Sequence, residues 1–563
     1  MLLVALTFVY IFALSAQTGI AVNRWLSIKN PDPFITVFSG LFGITTFACL
    51  WAFFGRIGWE FQLALVLYSI ILAFIYKSES AAFYHGLRSG IRDLPLSLKI
   101  IFGITSALII AKCAGSPFLP DNESYYIQTV KWLNEYGLVR GLANLHFFFG
   151  QTSGWHIAQS VFSLSFIDDR FNDLSGFALW IGNGFAIFRL KDYLKSGSFT
   201  ALVFGLTGCV NVLLFQFIAA PSPDLPVYII AFMASWLFVE HFDKASASVL
   251  RQITVLVLFG VFIKLTAVAL LLLPLLLLPK VKAFSIRTEL PLLATCFVTL
   301  SLFIAKNLIV SGYAFYPMPM LSFGFEHQVP KIIMDYFAAN TRPAAFDIDV
   351  TTYQSVSQLH LFKRWLMLPG LHGIFNMLSV LVLLVPVPIL FAKKIRSWWL
   401  LYFTMVFQWL LLYAISPQYR FGLHFVLIFG LFVLASMIQS RKKLAVAFTG
   451  FSIVVASVPL LVPIGMASLS NNKLFRENPV MTRRQAVFPH PNSSETTHFT
   501  AETIGNLNYF SPSEPTFFWF TGNGPLPCVN TEQLDFFEKN FGYRPQLGGT
   551  SLHDGFHPEK VSD

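Results

Sequence analysis

Fourteen apolar stretches, most of them about as long as a bilayer is thick, restrict what this chain can fold into. Spanning the hydrocarbon takes about 20 apolar residues per helix, somewhat fewer where protein neighbours shield the ends. The stretches lie near residues 1–20, 34–55, 58–76, 98–114, 172–188, 199–219, 226–240, 250–263, 265–279, 289–310, 366–391, 397–415, 421–438 and 444–468. Only Lys264 divides the pair at 250–279. Of the 563 residues, 55% are hydrophobic and 12% charged, and the mean hydropathy is +0.63, a combination that soluble domains rarely reach. The expectation is an all-α polytopic membrane protein with the lipid bilayer as its solvent. The opening MLLVALTFVYIFALSA has no Lys or Arg before it and runs into further apolar segments, which reads as a first span rather than a cleaved leader.

The net charge of +10 does not point to nucleic acid, because the basic residues sit in short clusters between apolar runs, where the positive-inside bias places them. With alternating crossings, the loops holding Arg24/Lys29, Lys77/Arg88/Arg92, Arg189/Lys191/Lys195, Lys244/Arg251, Lys280/Lys282/Arg287, Lys393/Lys394/Arg396 and Arg441/Lys442/Lys443 share one side. That side is expected to be the cytoplasm, with Arg56 and Lys264 on the other. The parity requires that Trp155–Phe166 does not cross, and Gln159, Ser160, Ser163 and Ser165 within it suit a helix lying along the interface. The extracytoplasmic side then receives Pro120–Trp155, the turn Ala220–Pro226, the interval Ser311–Trp365, the turn Ser416–Phe421 and everything after about Ser470. From Asn471 on, Pro, Asn, Gly, Ser and Thr become frequent, as in a small water-facing domain or lid with little core of its own.

Polar chemistry gathers on that expected outer side. PDNESYYIQTVKWLNEYGLVRGLANLHFFFGQTSGW, residues 120–155, places Asp121, Glu123, Tyr125, Tyr126, Lys131, Trp132, Glu135, Arg140 and His146 between long apolar runs. Lys131, Trp132 and Glu135 follow Gln128 at helical offsets, as on an amphipathic helix at the membrane surface. Asp224 stands in PSPDLP, where it would cap the seventh span, serve a site, or do both. Lys306-Asn307 and SGYAFYP end a helix, with Tyr313 and Tyr316 placed as interface-belt aromatics. Arg420 opens the thirteenth helix on the outer side against the charge bias, where a guanidinium would pair with an acid or fork onto a phosphate. His146, His156 and His327 lack zinc-ligand spacing, the five cysteines are scattered, and no phosphate-binding glycine loop is present.

A carboxylate in the first large outer loop, juxtamembrane helices after it, the N-x4-G-x3-YP turn at Asn307–Pro317 and an arginine in a late outer turn together resemble the GT-C glycosyltransferases. DNESYYIQTVKW, EYGLVRGLANLH, SPSPDLP, KNLIVSGYAFYP, SPQYRFG, PLPC and TSLHDGF are similar, more closely, to an uncharacterised bacterial family of large GT-C-like membrane proteins. The similarity runs from about residue 98 to the end. Tyr126 stands where that family has histidine, and Arg140 where proline is common. The resemblance implies additional N-terminal helices over 1–97, a GT-C-like core over 98–469 and an extracytoplasmic C-terminal domain over 470–563.

The resemblance further implies a multi-pass protein of the bacterial inner membrane that moves a sugar from a polyprenyl-phosphate carrier to a glycan, lipid or protein acceptor with inversion. Asp121 would be the general base. Arg420, with Lys306, would hold the leaving phosphate, and Glu123 and Asp224 would position the acceptor or a divalent cation. Tyr125, Gln128, Lys131, His146 and Tyr316 complete the candidate substrate-binding set, and no cofactor is named. The rival readings are a polysaccharide polymerase or ligase, a lipid-linked sugar transporter, and a non-catalytic scaffold. Few charges fall in the middle of the spans, which speaks against transport.

Overall fold

The computed structural model describes residues 1–561 apart from 283, 284, 471, 476 and 479; Asn471, where the sequence begins its polar tail, is outside the described residues. A helix occupies each of the fourteen apolar stretches. Among the described residues, ten helices are long and apolar enough to cross a membrane, or eleven if one bent pair forms a single span. The expected fourteen crossings are therefore reduced by that measure, for identifiable reasons.

Trp59–Ile75 has 17 residues and meets the amphipathic helix Lys77–Arg92 at a bend of 92°. The second helix exposes Lys77, Arg88 and Arg92, as an interfacial helix would. Leu174–Ser196 is long enough but carries Asn183 and a charged last turn. Its residues from Leu174 to Phe185 are almost all buried against neighbouring helices, so contact with lipid does not demand apolar side chains of it. Ala247–Ile263 is shorter, roughly 25 Å at 1.5 Å per residue, and Leu265–Lys280 is shorter still in residues and largely 3-10 helical.

The first two helices are not an appendage. Leu2–Trp25 and Pro33–Ala52 approach so closely that a Cβ on Gly19 would lie 2.0 Å from the Thr36 carbonyl oxygen, and one on Gly40 1.7 Å from that of Ser15. Small residues permit such backbone approach in a bilayer. Pro33–Ala52 also packs on Gly154–Phe162, Ala247–Ile263 and Ile286–Ser311, inside the bundle.

The helix ends sort into two groups. At one end, Leu138 N–H donates to Ala52 O, Gly141 N–H to Ile309 O, His490 N–H to Ala114 O and Ser153 Oγ to Ile263 O. At the other, Arg251 reaches the Leu26 and Ser27 carbonyls and Tyr193 Oη donates to Gln439 O. The polar loop 120–155 and the C-terminal region share the first end, and the basic clusters share the second.

Gly154–Phe162 has nine residues and does not cross, but it does not lie along the surface as expected: every one of its residues is buried. Its polar side chains Ser160 and Gln159 are satisfied within the protein, through Ser160 Oγ to Ile157 O and Gln159 Nε2 to Phe171 O. Polar side chains at such positions therefore mark a plug in the end of the bundle here.

The C-terminal region adds short strands to the helical protein. Phe499–Ile504 pairs antiparallel with Leu507–Pro512, the helix Thr531–Phe541 follows, and Tyr543–Leu547 pairs antiparallel with Phe556–Lys560. The helix starts at Asn530, whose side chain accepts from Glu532 N–H, and stops at Gly542 in the left-handed conformation (φ 68°). The region buries its apolar side on the loop: Leu507, Tyr509, Val529, Leu534 and Phe556 form one cluster with Trp132, Val139, Leu142, Leu145 and Phe149. Each segment completes the core of the other.

Candidate functional site

The chain leaves the helix Leu96–Cys113 and enters a loop whose Asn122–Tyr126 turn runs directly into the helix Ile127–Glu135. Asp121 stands at the start of that turn. Its Oδ2 accepts from Arg420 Nη1 at 3.0 Å and from Tyr126 Oη at 3.4 Å, joining residues 299 positions apart. Arg420 Nε donates to Gln418 Oε1 at 3.0 Å, while Nη2 and Asp121 Oδ1 have no partner among the described residues. About a third of each side chain remains open to solvent, 36% for Arg420 and 35% for Asp121. An ion pair with free donors and a free acceptor can take a ligand without being broken.

Arg420 is held by its backbone as well. Tyr228 Oη donates to its carbonyl at 2.6 Å, fixing the first turn of Tyr419–Ile438 against Asp224–His241. Asp224 begins that second helix and forms an ion pair with Lys264, whose ammonium also lies 4.4 Å from the Phe421 ring centre. Both ion pairs, Asp121–Arg420 and Asp224–Lys264, therefore lie close to Phe421, with the Arg420 guanidinium 5.3 Å from the same ring.

Aromatic rings form the wall. Tyr125 and Tyr126 meet edge to face at 4.7 Å, and His156 lies 4.9 Å from the Tyr126 ring. Burial pushes both tyrosine hydroxyls up, well above the ordinary phenol range, and Asp121 adds to the effect. Burial, then the nearby Lys306 and Lys264 cations, pushes His156 down to about 3. Both of its ring nitrogens are buried without a hydrogen-bond partner among the described residues.

The side chains of the other candidate residues are engaged elsewhere. Glu123 faces away from Asp121 into the C-terminal region: Oε2 accepts from Ser493 Oγ at 2.7 Å, and Oε1 from Ser494 N–H at 2.9 Å and Asn122 Nδ2 at 3.1 Å. Gln128 Nε2 donates to the Gly522 and Gly524 carbonyls, and Lys131 Nζ to that of Gly524. His146 accepts from Phe148 N–H and stacks on Phe149 at 4.4 Å, and burial lowers its pKa to about 3. Tyr316 Oη donates to Phe147 O at 2.6 Å and supports the same turn. Lys306 is buried on Asn307 Oδ1 (2.7 Å) and the Phe303 ring, on the His156 side rather than on Asp121.

The structure therefore brings together Asp121, Asp224, Tyr125 and Arg420, and adds Lys264, His156 and Tyr228. Lys264 had a signal in the sequence, as a cation against the charge bias; His156 and Tyr228 had none beyond their side of the membrane. Among the described residues no group of three His, Cys, Asp or Glu side chains is placed to hold a metal ion. Glu123 and Asp224, the two carboxylates considered for a divalent cation, are bound to hydroxyls and amides and to Lys264 respectively.

The fold and site define a polytopic helical membrane protein with a concentrated polar site at one end of its bundle. Residues 1–427 match the family described as a domain of unknown function, DUF8201, and the chain belongs to that family. The match includes the first helices and ends within Tyr419–Ile438, just past Arg420. No curated protein and no solved structure matches the chain.

Proposed function

We propose that this protein is a membrane glycosyltransferase of the GT-C type, moving a sugar from a polyprenyl-phosphate carrier to an acceptor hydroxyl on the extracytoplasmic face of a bacterial inner membrane. The observation that carries the reading is the Asp121–Arg420 pair, a solvent-reachable carboxylate and guanidinium with unused hydrogen-bonding atoms at one polar end of an otherwise apolar bundle. In an inverting transfer, Asp121 takes the acceptor proton as its oxygen attacks the anomeric carbon, and the bond from that carbon to the phosphate oxygen breaks. The carrier leaves as a polyprenyl phosphate. General-base help of this kind is typically worth about 10²–10⁴ in rate. The free edge of Arg420 neutralises charge growing on the phosphate while its other edge keeps Asp121 oriented. Asp224–Lys264 fixes the neighbouring wall, and the tyrosine pair offers flat, largely apolar surface to a sugar or prenyl chain.

Supporting the orientation, the basic clusters collect at the opposite end, as the positive-inside bias requires if the site faces outward. Reporters fused after Arg441 and after Asn471 are expected to act inside and outside the cytoplasm respectively. The test of function is transfer of a labelled sugar from a polyprenyl-phosphate donor in membranes holding wild type or Asp121→Asn. Transfer lost in the variant at equal protein level supports the reading. Movement of the lipid-linked sugar across the membrane without transfer would replace it with the transporter.

A further inference from the structure

At the basic end, the helix termini line an open-mouthed cavity of about 770 Å³ that the proposed transfer does not use. Its walls come from the beginnings of Pro33–Ala52, Ala247–Ile263 and Ile286–Ser311 and from the later turns of Leu174–Ser196 and Asp224–His241. The last of these helices runs from Asp224 at the outer site to His241 at the cavity. Its 18 residues put the two about 27 Å apart at 1.5 Å per residue, close to the thickness of the hydrocarbon.

Three features of the wall favour an anion. Three helix N-termini converge, each carrying partial positive charge; Asp32 takes the first-turn N–H groups of Pro33–Ala52, so that helix adds charge but no free donor. Both lining carboxylates are already committed. Asp32 caps Phe34 and Ile35 through Oδ1 and binds Arg189 Nη2 through Oδ2 at 3.0 Å, and both oxygens of Glu289 accept from Arg251 at 2.8 Å. Against them stand Lys29 and Lys244, whose ammonium groups are exposed and have no acidic partner among the described residues. Arg189 is flattened on Trp236 at 4.1 Å with its Nε buried and without a partner among the described residues. The positive-inside bias accounts for basic residues on this side, but it requires neither a cavity nor the neutralisation of every carboxylate in it.

We infer that this cavity is a second site, binding a phosphate group carried either by an anionic lipid headgroup or by a soluble phosphorylated metabolite. The volume falls within the usual range for small-molecule pockets, about 300–1,000 Å³. The Lys29 and Lys244 charges, the Arg189 guanidinium, helix N-termini and the Ser246 hydroxyl suit a multiply charged oxyanion better than a single carboxylate. The inference is independent of the transfer reaction.

The test uses the purified full-length protein. Pyrophosphate binding is measured by calorimetry in detergent, and lipid retention by native mass spectrometry after reconstitution in nanodiscs of phosphatidylcholine with or without phosphatidylglycerol. Lys29→Gln/Lys244→Gln should weaken the binding at least about tenfold, the scale of one charge-assisted contact. The single reversal Lys244→Glu should act in the same direction and serves if the double variant is unstable. Arg420→Ala, at the far end, should leave the binding unchanged. Pyrophosphate binding with these dependences assigns a soluble phosphate, and selective retention of phosphatidylglycerol with the same dependences assigns a lipid. Binding that ignores Lys29 and Lys244, binding abolished by Arg420→Ala, or binding of neither probe overturns the site.

Discussion

The two ends of the bundle each hold an arginine against a carboxylate, and the pairs differ in what is left over. At the basic end, Arg251 gives Nε and Nη2 to Glu289, both at 2.8 Å, Nη1 to the Leu26 and Ser27 carbonyls, and Nη2 also to Thr288 O. Only 11% of its side chain and 1% of that of Glu289 reach solvent. At the loop end, Arg420 and Asp121 make one contact, keep unused atoms and remain a third open. A saturated pair ties helix ends together, whereas an unsaturated one is free to act on something else. This difference in leftover valence, more than residue type, separates scaffold from site.

The largest effect should fall on the saturated pair. Glu289→Ala leaves the Arg251 charge buried and uncompensated, which typically costs about 3–5 kcal/mol, so the variant should lose most of its accumulation in the membrane and melt much lower in detergent. Asp121→Ala leaves Arg420 with access to water and should lower the melting temperature far less. Equal destabilisation by the two would break the comparison.

Next in size is the effect on transfer. Asp121→Asn keeps shape and most hydrogen bonding but accepts no proton, so turnover should fall at least about a hundredfold at normal protein level. Glu123, two residues on, offers the internal control. Its carboxylate is enclosed by Ser493, Ser494 and Asn122, so Glu123→Gln should loosen the C-terminal region, visible as faster proteolysis there, before it alters chemistry. Near-normal turnover in Asp121→Asn would move the base elsewhere.

Much of this was legible in the sequence, and the boundary has physical causes. The helices were readable because a bilayer imposes a length and a composition, and where that pressure is absent, as in the enclosed Leu174–Ser196, the apolar signal weakens. Arg420 was readable because it stands against the charge bias, and Lys264 shows the same anomaly, but nothing in the order of residues joins Lys264 to Asp224. The resemblance implied substrate roles for Glu123, Gln128 and Lys131; in the fold their side chains bond to Ser493, Ser494, Gly522 and Gly524, hundreds of residues away. A tail that completes its core with someone else's Trp132 and Phe149 looks, read alone, too polar to fold.

A smaller effect tests whether Arg420 serves a phosphate. A lysine keeps the charge and loses the planar fork, so Arg420→Lys should weaken binding of the polyprenyl-phosphate donor less than Arg420→Ala, with little change in melting temperature for either. An alanine variant that binds donor normally but melts lower would place Arg420 with Arg251, as a structural residue.

The smallest expected effect is a pH dependence, and it concerns the loop end alone. His146 and His156 lie outside the spans, and burial holds both rings near a pKa of about 3 in the folded protein, against an ordinary value of 6.5. Between these values the unfolded chain binds protons that the folded one refuses, so the stability due to neutral rings is complete above about pH 6.5 and is lost as pH falls toward 3. Each histidine contributes a slope of up to about 1.4 kcal/mol per pH unit in that window. The cations Lys264 and Lys306 near His156 oppose its protonation further. The melting temperature should therefore fall between pH 6.5 and 4.5, and His156→Gln, which removes one titrating group, should flatten the fall without abolishing it. A slope unchanged in His156→Gln would mean that this ring takes up its proton in the folded state, and that the wall beside Tyr126 is wetter and more open than its burial indicates.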